Sequence, residues 1–202
     1  MIDTFYGTFP NQGYVQATLQ PEELAPIQLE IDKIQKDFDS ATINDLGHAS
    51  NLQNEFYLQD CVKHLENLIA PLCQKYCEHS AYGDKLKNTY TLKDAWVNYQ
   101  SKHEYFGTHT HNGEFSFALW VKVPYTMEQE KAHVNYSGRN IERLPAFNFH
   151  YTDAMGTIRN QILPVDKTFE GKLVLFPGNM NHSVTPFYTS DKHRITVSGN
   201  IV

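Results

Sequence analysis

The spacing of apolar residues divides the chain into two unlike parts. Leu24, Ile27, Ile31, Ile34 and Phe38 recur at intervals of three and four, which predicts a helix over 21–38 with one apolar stripe. Pro21 suits its first turn, where a missing N–H removes no bond. Phe56, Val62, Leu65, Leu68, Ile69, Leu72 and Tyr76 repeat in the same way and predict a second, longer helix over 54–80. Pro71 should kink or divide it, and Tyr82-Gly83-Asp84 should end it. The segment 39–53 is polar and mixed and reads as a loop. Residues 1–20 carry Gly7, Pro10 and Gly13 as turn signals before a short alternating run, and read as strand material.

From residue 89 the period drops to two. Tyr90 and Leu92 precede runs at 95–99, 105–111, 115–123, 147–151, 157–163, 172–176, 183–188 and 194–202, each predicting a strand. Asp153-Ala154-Met155-Gly156 reads as a hairpin turn. The charged, weakly patterned segment 126–145 is expected to be a long inserted loop of the kind that lines binding sites. Many short strands indicate a sandwich or barrel, with the helices packed outside one sheet. The fold class expected is mainly β with N-terminal helices. It forms a single domain over 1–202, in which 1–88 give helical support and N-terminal strands and 89–202 the β core.

Composition narrows the function. A formal charge of -6 without a run of either sign offers no basic groove, which argues against long nucleic acid as a partner. Cys61, Cys73 and Cys77 fall in one predicted helix and read as small buried fillers of a reducing compartment, too few for a zinc site. Met1-Ile2-Asp3-Thr4-Phe5 is no signal peptide, and no apolar run reaches membrane-spanning length. A cytoplasmic, non-membrane protein is the expectation.

The candidate chemistry lies in the β half. His109 and His111, one residue apart, would share a strand face. His182 follows Phe176-Pro177-Gly178-Asn179-Met180-Asn181, whose turn would aim it inward, and Arg194 comes twelve residues later. Three imidazoles with open positions beside them suit a non-haem iron centre, and an arginine fork suits the carboxylate of a co-substrate. Thr196 would face the same way as Arg194 and donate its hydroxyl. A lone His-x-His is more often a surface pair, but His182 and Arg194 in order reverse that reading, since an arginine on a half-buried strand needs an anionic partner. His48, His103, His133 and His193 carry no signal of a role, His64 and His79 on the second helix read as solvated or edge residues, His150 as a cleft candidate though a hairpin histidine is usually exposed, and Trp96 and Trp120 as core. Arg139, Arg143 and Arg159 read as solvated charges.

Taken in order, Trp96 and Asn98, His109 and His111, Ser116, Phe176, Pro177 and His182, then Arg194, Thr196 and Asn200 resemble the Fe(II)- and 2-oxoglutarate-dependent oxygenases, in the branch of small phage or bacterial members. The motifs span about 90–202, and the helical half matches in layout only. The resemblance implies a double-stranded β-helix, or jelly-roll, core. It implies Fe(II) held by His109, His111 and His182, with 2-oxoglutarate as co-substrate, its distal carboxylate on Arg194 and Thr196. Asn98 is carried over as a further co-substrate contact, with Tyr99 on the opposite face as its competitor. The implied activity is a hydroxylase that releases succinate and CO2.

One departure matters. Most of the superfamily has Asp or Glu where this chain has His111. The reading adopted is a three-histidine site; Glu114 reaching in through a bulge at Asn112-Gly113, or a position open to water or halide, are the alternatives. A cupin-type enzyme or binding module is a competing class, since Gly171, Pro177 and His182 resemble one cupin motif and His109, His111 and Glu114 another. A non-enzymatic jelly roll is the third. The substrate, a small molecule or a protein side chain, is not readable, and exposed edge strands leave a homodimer open.

Overall fold

The computed structural model describes residues 13–38, 50–79 and 89–202. The expectations for residues 1–12, for 39–49 with His48 and for the helix end at Tyr82-Gly83-Asp84 lie outside the described residues.

The elements run β1 (Val15–Thr18), α1 (Pro21–Lys36), β2 (Glu55–Tyr57), α2 (Val62–His79), β3 (Leu92–Gln100), β4 (Phe106–His109), β5 (Phe115–Lys122), α3 (Met127–His133), β6 (Ala146–Thr152), β7 (Ile158–Pro164), β8 (Lys172–Pro177), β9 (Asn181–Val184) and β10 (Arg194–Ile201). Two antiparallel sheets form, one ordered β1-β8-β5-β10-β3-β2 and the other β4-β9-β6-β7. Together they make the jelly roll, with α1 and α2 on the outer side of the large sheet.

Strand alternation explains why the large sheet has two buried faces of different character. Ala95, Val97 and Tyr99 of β3 and Ile195, Val197 and Ile201 of β10 join Ile27, Ile31, Leu65, Ile69 and Cys73 of α1 and α2 in the outer core. Tyr99 also donates to the Ile31 carbonyl at 2.7 Å, a buried bond that ties β3 to α1 and is worth about 1 kcal/mol. The opposite face of the same two strands carries Asp94, Trp96, Asn98 and Gln100, and Thr196, Ser198 and Asn200. It looks towards the second sheet, and Trp120, Val174 and Phe176 of the large sheet meet Phe147 and Phe149 of the second, with Phe187, in the inner core.

Two carboxylates pin loops that matter for the site. Glu30 of α1 accepts from the backbone N–H groups of Gln59, Asp60 and Cys61, just ahead of α2. Glu130 of α3, fully buried, accepts from Tyr188 N, Thr189 N and Thr189 Oγ1 in the loop that leads into β10.

Some boundaries differ from expectation. The second helix begins at Val62, not 54. Glu55, Phe56 and Tyr57 instead pair with Asn98, Val97 and Trp96 at the sheet edge, because ladder bonds to β3 outweigh a local helical pattern. Cys61 therefore precedes α2, while Cys73 and Cys77 lie in it, and all three are buried free thiols. Pro71 does not divide α2: the missing N–H costs one backbone bond, and the face carrying Leu65, Ile69, Cys73 and Tyr76 is buried regardless. The segment 126–145 is not a loop throughout. Thr126 and Gln129 form a capping box that starts α3, and a 3-10 turn covers Ile141–Arg143. The hairpin turn stands where expected, with Gly156 at φ 81 and Asp153 Oδ1 accepting from Met155 N and Thr157 N.

Candidate metal centre

His109 closes β4 and stands directly across the ladder from His182 on β9. His111 is not on the strand, as β4 ends at His109. It follows in an irregular turn tied down by a bond from His111 N to the Gly178 carbonyl at 2.8 Å. That turn needs two glycines. A Cβ on Gly178 would come within 2.2 Å of the Gly113 carbonyl oxygen, and one on Gly113 within 2.8 Å of the Ile201 carbonyl. Backbone-to-backbone packing thus carries His111 back towards the other two rings.

The ligand atoms of His109, His111 and His182 all lie within 4.8 Å of one another. His109 Nδ1 lies 2.8 Å from the Gly107 carbonyl and His182 Nδ1 2.9 Å from the Met180 carbonyl. A carbonyl only accepts, so each Nδ1 carries the proton and each Nε2 is left with a bare lone pair. His111 Nε2 and His182 Nε2 are 3.2 Å apart, a spacing compatible with two bonds of about 2.0–2.1 Å to one ion. Burial holds all three imidazoles neutral: His109 is lowered by desolvation against an opposing Gly107 bond, and His111 is pushed down to about 4 by burial and then by His109. His182, nearly sealed, falls well below the usual histidine range, mainly by burial. Three neutral lone pairs converging on one point are the donor set of a metal site.

These rings face a cavity of about 450 Å³ between the sheets. Asn98 and Thr196 line it with the histidines, and Asn98 Nδ2 donates to Thr196 Oγ1 at 3.5 Å. Arg194 is fully buried but stands behind that wall. Its Nε and Nη2 donate to Gln100 Oε1 at 3.2 and 2.6 Å, Nη1 to the Tyr125 hydroxyl at 2.8 Å and Nη2 to the Thr185 carbonyl at 3.1 Å. Among the described residues no carboxylate pairs with it.

Other candidates fall elsewhere. Glu114 is not among the residues lining the cavity, and its charge is felt by Cys73 on the helical side of the sheet. Tyr99 turns to α1. His150 bonds Asn160 and Ser183, His64 meets the Glu23 carbonyl and His79 the Lys75 carbonyl. Arg159 pairs with Asp153 on the surface. Trp96, read as core, is buried but also borders the cavity, its ring 5.6 Å from that of His111. Gln100 is a further site residue whose place two residues after Asn98 on one strand face is a period-two signal. Tyr125 lies beyond the predicted strand and has no such signal.

Two facing sheets with three imidazoles between them define a jelly-roll protein with a candidate metal centre. Residues 94–200, more than half of the chain, match the family model described as "Putative 2OG-Fe(II) oxygenase", and the chain belongs to that family. It is an oxidoreductase of the class that uses Fe(II) and 2-oxoglutarate, which decides against the cupin-type and non-enzymatic readings. No curated protein sequence matches it. Among solved structures it is similar to a prolyl-4-hydroxylase of Pseudomonas putida, at 12% identity and a TM-score of 0.56, covering 93% of this chain and 91% of that one. A prolyl hydroxylase of Trichoplax adhaerens, in complex with a hypoxia inducible factor oxygen degradation domain peptide fragment, matches at 10% identity and a TM-score of 0.57, covering 94% and 82%. The epimerase SnoN from nogalamycin biosynthesis matches at 14% and 0.58, covering 95% and 78%. At such identities the likeness is one of fold. Among the described residues no helix is long and apolar enough to cross a membrane.

Proposed function

We propose that the chain is an Fe(II)- and 2-oxoglutarate-dependent dioxygenase that hydroxylates its substrate, with His109, His111 and His182 as the metal ligands. The observation that carries this is the convergence of the three ring nitrogens, two of them held in tautomer and orientation by the Gly107 and Met180 carbonyls. When bound, Fe(II) and 2-oxoglutarate supply oxygen activation coupled to decarboxylation, so that R–H, O2 and 2-oxoglutarate give R–OH, succinate and CO2.

The chain's own residues supply position and charge. Three neutral ligands leave the ion its full 2+ charge, where a carboxylate ligand would leave one unit less. Arg194 would provide the fork for the distal carboxylate of the co-substrate once that carboxylate displaces Gln100 Oε1 from it, and Thr196 a hydroxyl two residues on along the same strand face. Asn98, bonded to Thr196 through Nδ2, holds that hydroxyl in place. Phe147 and Phe176 border the cavity and keep water from the triad, with Phe176 4.7 Å from the His182 ring, centroid to centroid.

Anaerobic addition of Fe(II) and 2-oxoglutarate tests the reading. The expected result is a visible charge-transfer band in the wild type, absent in His182→Ala and in Arg194→Met, followed by succinate release on admitting oxygen. Metal binding without the band in the wild type would refute the co-substrate assignment.

A further inference from the structure

One wall of the cavity is built to accept hydrogen bonds. It consists of the inward face of β2, β3 and β10, where Glu55 stands beside Asn98 and Tyr57 beside Trp96, while Asp94 pairs with Asn200. Two amide donors on this wall are engaged: Asn98 Nδ2 goes to Thr196, and Asn200 Nδ2 to Asp94 Oδ1 at 2.7 Å. Their carbonyl oxygens are left over. Asn98, only 5% exposed, and Asn200 each have a buried Oδ1 with no hydrogen-bond partner among the described residues, and both line the cavity. A buried acceptor without a partner is costly unless a ligand completes it.

Charge agrees with this. Glu55 and Asp94 both line the cavity, and none of the described residues that line it is Lys or Arg. Trp96 and Tyr57 add two aromatic faces, which favour cations. Arg194 and Asn200 are six residues apart on one strand, about 20 Å at some 3.3 Å per residue. Asp94 and Asn200 therefore lie away from the anion end, whereas Asn98 and Glu55 are in register with Thr196, and Trp96, which packs against His111, lies between the two groups.

We infer, resting on the oxygenase reading of the triad, that the substrate carries a cationic aliphatic nitrogen, an ammonium or guanidinium group, which docks on Asp94 and Asn200 Oδ1 against Trp96 and Tyr57, with Glu55 adding negative charge to the same wall. The acceptors take its N–H donors, the carboxylates balance its charge and the aromatic rings flank its alkyl stem. A C–H bond on that stem then faces the triad.

The probes are n-butylammonium, n-butylguanidinium, butyrate and 1-butanol, titrated calorimetrically into full-length protein with and without Mn(II), which cannot turn over the site without 2-oxoglutarate. Line broadening of the probe protons by Mn(II) reads proximity to the triad. Both cations should bind, butyrate and butanol should not, and Asp94→Asn should weaken the cations about tenfold or more, as a charge-assisted bond becomes a neutral one, with Glu55→Gln weakening them by a smaller factor through the lost charge. Broadening should vanish in His109→Ala while calorimetric uptake of the cations persists. If the wild type binds no Mn(II), the metal assignment fails, and calorimetry on the metal-free protein still reads the wall. Absence of cation uptake, equal binding of butyrate or butanol, or unchanged affinity in Asp94→Asn overturns the inference.

Discussion

Gln100 closes the fork of Arg194. Its Oε1 accepts from both Nε and Nη2, at 3.2 and 2.6 Å, while its own Nε2 donates to the Glu104 carbonyl at 2.5 Å. A carboxamide oxygen thus occupies the two-pronged face of a fully buried guanidinium, the face that fits a carboxylate.

If Arg194 receives the co-substrate, a carboxylate at position 100 competes for it from within. Gln100→Glu pairs the buried guanidinium but sets its second oxygen against the Glu104 carbonyl that now accepts from Gln100 Nε2, so the melting temperature is expected not to rise. It should weaken 2-oxoglutarate by more than about tenfold, the equivalent of about 1.4 kcal/mol. Differential scanning fluorimetry and a titration of the charge-transfer band measure the two effects. Unaltered co-substrate affinity would place the anion site elsewhere.

Gly178 is a second sensitive point. Its missing side chain lets the backbone meet that of Gly113, where a Cβ would stand 2.2 Å from the carbonyl oxygen. Gly178→Ala should destabilise the fold by roughly 1–3 kcal/mol, as overpacking does, and should displace His111, whose N–H bonds the Gly178 carbonyl. Metal affinity should fall more than an alanine at solvent-open Gly13, near which a Cβ meets nothing within 4 Å, would lower it. Chemical denaturation and Mn(II) titration of both variants provide the comparison.

The ligands should differ in tolerance. His109 and His182 are locked by backbone carbonyls, so their alanine variants should lose metal by well over the ~10-fold that loss of an outer-shell partner costs. His111→Asp should retain binding, because a carboxylate there restores the two-histidine, one-carboxylate facial set. Metal titration with 2-oxoglutarate present distinguishes these variants, and an inert His111→Ala, binding metal as the wild type does, would remove His111 from the ligand set.

Metal should stabilise the folded chain measurably. At a hundred times its Kd an ion contributes about 2.7 kcal/mol, or roughly 5–10 °C for a chain of this size. Melting curves with and without Mn(II) should show that rise in the wild type and lose it in His182→Ala. An equal rise in both would mean that the ion binds somewhere other than the triad.

Much of this was legible in the linear order of residues. Period-three-and-four stripes located α1 and most of α2, and period-two runs located the strands of the core, because burial of one face imposes those periods whatever the partner. The three histidines were legible as a set because ligand chemistry restricts residue type. The sequence did not disclose that Glu55-Phe56-Tyr57 leave the helical pattern to pair with β3, since strand pairing is a contact between segments distant along the chain. Nor did it disclose how His111 returns to the cluster. A shared strand face was the expectation, whereas the cause is the contact of Gly113 with Gly178, 65 positions apart in sequence. The partner of Arg194 was equally hidden. Any buried arginine seeks an acceptor, but only the register of β10 on β3 decided that Gln100 would supply it, leaving the cavity wall to the acceptors of Asn98 and Asn200.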